Sequence, residues 1–199
     1  LRLTARAKNE LEARNIINPV KEKLKKEFSK FIFGENDDNL SSVLIKELIK
    51  RKESLVFAES CSGGLLSSSI TSIPGSSQVF KGSIISYSNN LKQSLLNVPE
   101  NLIKKFGAVS EEVAETMAIN AKEKLNSDWS IAISGIAGPS GGNKEKPVGL
   151  VYISIAGPNG HITNIKKIFS STRNRIEIQR LSVNVCLNSL RLILLSSSK

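Results

Sequence analysis

Ala-Glu-Ser-Cys-Ser-Gly-Gly, residues 58–64, separates a short apolar segment at 54–58 from apolar residues that repeat with helical spacing after residue 64. This order predicts a buried strand, a tight polar turn and a helix. Ser60 and Ser62 carry oxygens that can cap unpaired N–H groups of the helix, and Gly63 and Gly64 let a ligand approach the backbone. Exposed amides at a helix N-terminus favour an anion or an oxyanion, so the turn is a candidate ligand site, with plain helix capping as the alternative.

Two further segments have the same layout of an apolar strand followed by a polar loop. One contains Ser-Tyr-Ser-Asn-Asn-Leu-Lys at 86–92, and the other is Ile-Ala-Ile-Ser-Gly-Ile-Ala-Gly-Pro at 131–139. If the three strands run parallel, their carboxyl ends lie along one edge of a sheet, where open α/β sheets bind ligands. Right-handed crossovers then bring four polar side chains within reach of one another: Ser60, Tyr87, Lys92 and Ser134.

Helical and strand-like segments alternate along the chain, which predicts an α/β fold with a mixed sheet covered on both faces. The Gly-Pro-Asn-Gly sequence at 157–160 predicts a hairpin turn between the last two strands. The predicted helices are 5–30, 40–51, 62–72, a helix from about 89, a short one from Pro99, 111–125 and 173–195. The predicted strands are a frayed one from Leu1, then 54–58, 79–87, 129–134, 148–156 and 161–169.

Composition predicts a cytoplasmic protein. The formal net charge is +10, but the lysine-rich segments are interleaved with acidic residues, which is typical of solvated helical faces. Nucleic-acid binding is not expected, because zinc-finger, helix-turn-helix and base-stacking patterns are missing from the sequence. No apolar run approaches the roughly 20 residues of a membrane helix, and no secretory leader opens the chain. Cys61 and Cys186 lie far apart, so a disulfide is not expected in a reducing compartment.

The residue inventory restricts the chemistry of the site. His161 is the only histidine and follows the predicted hairpin turn, which disfavours a serine–histidine–carboxylate triad and a zinc site. Lysine is then the available base near neutral pH, since burial can lower the pKa of an amine until it takes a proton from serine. Cys61 is an alternative nucleophile, but it has no histidine partner.

Five ordered motifs carry a family resemblance. They are AESCSGG at 58–64, PGSSQVFKGSIISYSNNLK at 74–92, VPENLIKKFGAVSEEVAETMA at 98–118, SGIAGPSGG at 134–142 and EKPVGLVY at 145–152. With these motifs the chain resembles the C-terminal domain of the CinA family, whose stand-alone PncC relatives are nicotinamide-nucleotide amidases. Residues 1–36 resemble the end of the middle domain of full-length CinA proteins, which predicts a remnant at 1–36 and an amidase domain at 37–199.

The resemblance implies a three-layer α/β/α sandwich with a mixed, mostly parallel sheet, and a serine–lysine amidohydrolase. Ser60 would be the nucleophile and Lys92 the general base. Tyr87 would orient Lys92 or relay its proton, with packing of its ring as the alternative, and Ser134 would bind the lysine or the substrate amide. The predicted substrate-binding residues are Glu59, which alternatively holds the loop, and Cys61, Ser62, Gly63, Gly64, Gly135 and Arg173.

Arg173 matches an arginine of a Gly-Asp-Arg segment in the family and is expected to grip a phosphate, with a surface position as the alternative. Glu177 stands where members often carry a second arginine, which predicts weaker substrate binding unless Arg175 or Arg180 compensates. The implied reaction converts nicotinamide mononucleotide and water to nicotinate mononucleotide and ammonia, without a metal or an organic cofactor. A homodimer or larger homo-oligomer is expected. The alternative function is a non-catalytic interaction module of a competence or DNA-damage-inducible protein.

Overall fold

The computed structural model of the chain describes residues 1–196 and divides it into two compact units, Leu1–Asn39 and a second unit that begins at Leu40. The predicted boundary after residue 36 concerns the domains of longer proteins and stays a prediction. The helices of the described residues are α1 (Glu10–Glu27), α2 (Leu40–Arg51), α3 (Leu65–Thr71), α4 (Asn89–Leu96), α5 (Glu100–Phe106), α6 (Glu111–Lys124) and α7 (Arg175–Ser196). The strands are β1 (Leu55–Glu59), β2 (Phe80–Ile85), β3 (Trp129–Gly135), β4 (Leu150–Ala156) and β5 (Ile162–Ile168).

The first unit consists of α1 and the segments that flank it. The Asn9 side chain caps α1 by accepting a hydrogen bond from the Glu12 amide at 2.9 Å. Glu35 pairs with Lys21 and Lys25, and these two lysines lower the pKa of the Glu35 carboxyl. Residues 1–7 contain no strand, so the predicted frayed strand at Leu1 was wrong.

The second unit is built around a five-stranded sheet in the order β2-β1-β3-β4-β5. β1 is parallel to both of its neighbours, whereas β4 is antiparallel to both β3 and β5, so only β4 is reversed. The chain leaves β1 for β2 on one side and later returns to β3 on the other. Because the connections lead to opposite sides of β1, the carboxyl ends of β1 and β3 form a topological switch point.

Helices cover both faces of the sheet. Alternate residues of a strand point to opposite faces, so Leu55 and Phe57 of β1 pack with α2, α3 and α7, while Val56 and Ala58 pack with α4, α5 and α6. β1 and β3 are buried on both faces, as expected for central strands. The architecture is therefore the predicted three-layer α/β/α sandwich with a mixed, mostly parallel sheet.

α7 packs along the first of these faces. It has the length and apolar composition of a membrane-spanning helix, but its buried side chains Leu187, Leu190 and Leu194 belong to the core. It packs against α2 through Leu44 and Leu48, so the first and last helices of the second unit lie side by side.

Candidate active site

Three strand-to-loop junctions meet at the carboxyl edge of the sheet and enclose a cavity of about 260 Å³. Its walls come from the turn after β1, the start of α4, the connection between α5 and α6, the glycine-rich loop after β3 and the first residue of α7. Ser60, Tyr87, Lys92 and Ser134 all line it, as the topology of parallel strands predicts. The volume lies just below the range of about 300–1,000 Å³ typical of small-ligand pockets.

Lys92 and Ser60 form a direct hydrogen-bonded pair in this cavity. The Lys92 Nζ lies 2.9 Å from the Ser60 Oγ, and the two side chains are 1% and 8% exposed. Burial lowers the pKa of Lys92 below its usual value of 10.5, although the nearby Cys61 thiol opposes this shift. Lowering the pKa increases the fraction of neutral amine near neutral pH, and a neutral amine can accept the proton of a serine hydroxyl.

Local backbone structure positions both members of the pair. The Ser60 amide donates to the Ile133 carbonyl at 3.1 Å, which continues the pairing of β1 with β3 past the end of the strand. The Ser88 hydroxyl caps α4, and Lys92 lies in the first turns of that helix. The Lys92 Nζ donates to the carbonyls of Ser86 at 2.8 Å and Tyr87 at 3.4 Å, so the carboxyl end of β2 fixes the amine.

Glu59 holds the turn that carries Ser60. Its buried carboxylate accepts hydrogen bonds from the Gly64 amide at 2.9 Å, the Leu66 amide at 3.1 Å and the Ser67 amide at 2.9 Å, and from three serine hydroxyls. A carboxylate at this position satisfies the unpaired amides of α3 and matches its dipole. The chain therefore places its own anion at the helix N-terminus.

This arrangement places several residues that were predicted to bind the substrate outside the cavity lining. Glu59 and Ser62 do not line the cavity, because the Ser62 hydroxyl donates to Glu59 at 2.7 Å and both side chains are buried. Gly63 and Gly64 also lie outside the lining, and their amides donate to the Ser60 carbonyl and to Glu59. They shape the turn, where φ is +60° at Gly63 and +100° at Gly64, and their contact with the substrate stays a prediction.

Among the described residues, the amides of Cys61 and Ser62 donate to no protein acceptor, and both follow Ser60 in the turn. The Cys61 thiol lines the cavity, but burial raises its pKa to about 12. A thiol with that pKa is protonated near neutral pH, and the Lys92 amine contacts the Ser60 hydroxyl, so Ser60 is the better-placed candidate nucleophile.

Ser134 positions a wall of the cavity. Its hydroxyl donates to the Ala108 carbonyl at 2.7 Å and makes no bond to Lys92, so the predicted contact with the lysine is not formed. Gly135 lines the cavity beside it, as predicted. β4 approaches so closely there that an added Cβ would lie 2.8 Å from the Leu150 carbonyl oxygen.

Tyr87 and Arg175 meet at the mouth of the cavity. The Arg175 guanidinium donates to the Tyr87 hydroxyl at 2.8 Å and to the Gly138 carbonyl at 2.8 Å. The phenol ring is exposed and does not touch Lys92, so Tyr87 orients the lysine through its backbone carbonyl only. Arg173, the predicted phosphate-binding residue, is exposed and outside the cavity lining, and Arg175 is the arginine that lines it.

With this geometry in place, the comparisons with known proteins identify the family. Residues 37–194 match the family model of the CinA C-terminal domain. The chain belongs to the CinA family. A CinA-like protein of Prochlorococcus marinus subsp. pastoris is 96% identical over 199 residues, and the match covers 100% of this chain and 46% of that protein. A second CinA-like protein, from P. marinus strain MIT 9515, is 83% identical with the same coverage. The chain spans about half the length of the curated relatives it matches.

Solved structures of CinA-superfamily proteins share the fold. The competence/damage inducible protein CihA of Agrobacterium tumefaciens has a TM-score of 0.76 at 33% identity, covering 82% of this chain and 98% of that one. A competence-damaged protein (CinA) superfamily protein of Escherichia coli has a TM-score of 0.73 at 29% identity, with coverages of 82% and 96%.

Glu177, the residue that departs from the CinA family pattern, caps α7 in this CinA-family chain. Its carboxylate accepts from the Asn174 amide at 2.9 Å, and the Glu177 amide donates to the Asn174 side chain at 3.0 Å. This reciprocal pair is a capping box. The Asn-x-x-Glu spacing at 174–177 signals it in the sequence, and the carboxylate is not part of the cavity lining.

Two anchors from α7 were not among the predicted site residues. The Gln179 amide donates to the Cys61 carbonyl at 2.8 Å, and Arg175 holds the Gly138 carbonyl. Both join α7 to loops more than 30 residues away along the chain, and no local motif signals such pairings. His161 contacts Thr163 and the Trp129 ring instead of the cavity. Within residues 1–196, no group of three or more His, Cys, Asp or Glu residues is placed to hold a metal ion.

Proposed function

We propose that this CinA-family chain is a nicotinamide-nucleotide amidase that converts nicotinamide mononucleotide and water to nicotinate mononucleotide and ammonia. The observation that carries the proposal is the 2.9 Å contact between the Ser60 Oγ and a buried lysine amine that faces a cavity. A serine activated by an adjacent base is the arrangement required for nucleophilic attack on an acyl carbon.

The reaction follows from the roles of the two side chains. The neutral Lys92 amine takes the Ser60 proton as the Oγ attacks the carboxamide carbon. The resulting Lys92 ammonium then gives its proton to the nitrogen of the leaving group, so ammonia departs and an ester with Ser60 remains. Water attacks this ester, Lys92 takes the proton of the water and returns it to the Ser60 Oγ, and the carboxylic acid is released.

Backbone amides are the candidates for stabilising the oxyanion in these steps. The Cys61 amide has no protein acceptor in the described part of the chain, follows Ser60 directly and belongs to a residue that lines the cavity, whereas Ser62 lies outside the lining. A well-placed donor of this kind contributes about 3 kcal/mol to transition-state stabilisation. The amides of Gly63 and Gly64 are already bonded and do not serve this role.

The phosphate of the mononucleotide is assigned to Arg175. Arg175 lines the cavity, and its guanidinium uses two nitrogens to hold the Gly138 carbonyl and the Tyr87 hydroxyl. A guanidinium has five N–H donors, so it retains donors for a phosphate oxygen. The α3 N-terminus does not compete for the phosphate, because the Glu59 carboxylate already occupies it.

Family membership supports the proposal, since both residues of the pair lie in motifs shared with amidases of this family. The alternative of a non-catalytic interaction module drew its support from Glu177 and the basic charge. Glu177 caps α7 and is not part of the cavity lining, which weakens its support for that alternative. The setting we propose is pyridine nucleotide recycling in a bacterial cytoplasm, with the protein as a homo-oligomer.

The test is ammonia release from nicotinamide mononucleotide by the purified chain and by the Ser60→Ala and Lys92→Met variants. Both variants are expected to lose at least about a thousandfold in kcat, because the nucleophile and base act as a unit. Ser77→Ala and Lys104→Met make the same chemical changes at exposed sites and are expected to match the parent. Full activity in Ser60→Ala would refute the mechanism, and a folded parent with no activity would refute the function.

A further inference from the structure

Lys146 bridges two walls of the cavity from a position outside it. Its Nζ donates to the Phe106 carbonyl at 2.5 Å and to the Val109 carbonyl at 2.7 Å. Lys146 belongs to the 136–149 connection between β3 and β4, whereas its two acceptors belong to the 106–110 connection between α5 and α6. No other side chain among residues 1–196 joins these two connections through a recorded hydrogen bond or ion pair.

Both connections contribute directly to the cavity. Ala108 and Val109 line it from one side, and Ser140 and Gly141 line it from the other. Ala137 and Val148, near the two ends of the 136–149 connection, pack against the core, and Arg175 holds the Gly138 carbonyl. The Ser134 hydroxyl ties Ala108 to the end of β3, so the Lys146 contacts are the tie between the 106–110 connection and the distal part of the 136–149 connection.

The local structure around Lys146 is organised for this contact. The Asn143 side chain accepts from the amides of Glu145 at 3.0 Å and Lys146 at 2.7 Å, which forms a turn that aims Lys146 at the other wall. Phe106 ends α5, so its carbonyl has no partner within the helix, and a cation is a favourable donor to it.

Gly107 shows how closely the amine approaches. A Cβ built on Gly107 would lie 2.8 Å from the Lys146 Nζ, and the φ of this residue is +76°. The Ser110 hydroxyl also donates to the Gly107 carbonyl at 2.9 Å. Hence Gly107 leaves space for the ammonium, and an added Cβ at this position would require the flexible end of Lys146 to shift.

We propose that Lys146 is a positioning residue that fastens the 136–149 connection to the 106–110 connection and thereby sets the affinity of the cavity for its nucleotide substrate. Lys146 touches neither Ser60 nor Lys92, so its loss loosens the walls that bind the substrate and leaves the reacting pair in place. The kinetic part of this inference rests on the proposed function, whereas the fastening of the two connections does not.

The experiment compares Lys146→Met with Lys144→Met in the same chain. Methionine keeps a chain of similar length and removes the ammonium, and Lys144 is an exposed residue of the same connection that loses the same charge. Hydrogen exchange measured by mass spectrometry reports on the peptides that cover 104–112 and 138–150. Ammonia release from nicotinamide mononucleotide gives kcat and KM for each variant.

In Lys146→Met we expect exchange at least about tenfold faster in both peptides, KM raised by at least about tenfold and kcat within about threefold of the parent. Lys144→Met should match the parent in every measurement. Unchanged exchange in both peptides of Lys146→Met would overturn the fastening, and so would a loss of kcat at unchanged KM, which is expected of a general structural defect. If the parent releases no ammonia, the proposed function fails and the exchange data alone decide whether Lys146 joins the two connections.

Discussion

Replacing Glu59 by glutamine separates the two roles that the sequence leaves open for this residue. In the structure, one carboxylate oxygen accepts from the Ser62 hydroxyl and the amides of Gly64 and Leu66, and the other accepts from the Ser67 amide and hydroxyl. Glutamine can keep one of these oxygens as an acceptor. Its NH₂ group must then occupy the other position and face a second donor, the Ser67 amide.

The magnitude follows from the bonds that change. One buried amide left without an acceptor costs about 1–3 kcal/mol, and each remaining bond loses about 1 kcal/mol when its acceptor is neutral instead of charged. With three such bonds, the free energy of unfolding should fall by about 4–6 kcal/mol. For a chain of this size that corresponds to a Tm lowered by about 10–20 °C.

The assay is thermal unfolding followed by circular dichroism, with ammonia release measured well below the Tm. We expect Glu59→Gln to lower both the Tm and kcat, because the turn that holds Ser60 loosens. Glu100→Gln makes the same chemical change at an exposed carboxylate paired with Lys104, and it should shift the Tm by less than about 2 °C. An unchanged Tm together with a raised KM would refute this reasoning and restore Glu59 as a substrate contact.

Three further predictions concern the charged and nucleophilic side chains of the site. Burial lowers the pKa of Lys92, so the unfolded chain binds more protons between that lowered pKa and 10.5. Over this interval the unfolding free energy of the parent should rise with pH relative to that of Lys92→Met. Urea titrations at several pH values measure both free energies. If the pKa were not lowered, the plots of unfolding free energy against pH would be parallel for the two proteins. Cys61→Ala should keep kcat within about threefold, since the thiol pKa is about 12, and a complete loss of ammonia release would instead make Cys61 the nucleophile. Arg175→Met should raise KM for nicotinamide mononucleotide by about 10- to 100-fold, which corresponds to the loss of one or two charge-assisted hydrogen bonds. Arg173→Met should leave KM unchanged. The reverse pattern in steady-state kinetics would show that Arg173 binds the phosphate instead.

The sequence predicts the parts of the site that depend on local pattern. An apolar segment followed by a polar turn is a local signal, and the parallel pairing of three such segments places Ser60, Lys92 and Ser134 around one cavity. The fold class follows from the same alternation of strands and helices. The predicted start of α3 at residue 62 was early, because Gly63 and Gly64 adopt positive φ angles and the helix begins at Leu65.

Other parts of the site depend on where side chains point, which a sequence pattern does not contain. The pattern shows that Glu59 ends a strand, but not that its carboxylate turns back to the amides of α3. Likewise, Arg173 and Arg175 are two residues apart at the start of a helix, and only packing against Gly138 and Tyr87 selects Arg175 for the cavity.

The position of α7 after the other parts of the cavity in the sequence has a consequence for the order in which the cavity can form. Ser60 and Lys92 precede α7, but bonds that hold the loops around them come from Gln179 and Arg175 in that helix. α7 also packs against α2, so the face of the sheet that these two helices cover is completed only when α7 docks. A folding intermediate without docked α7 would therefore contain the Ser60–Lys92 pair but no finished cavity around it.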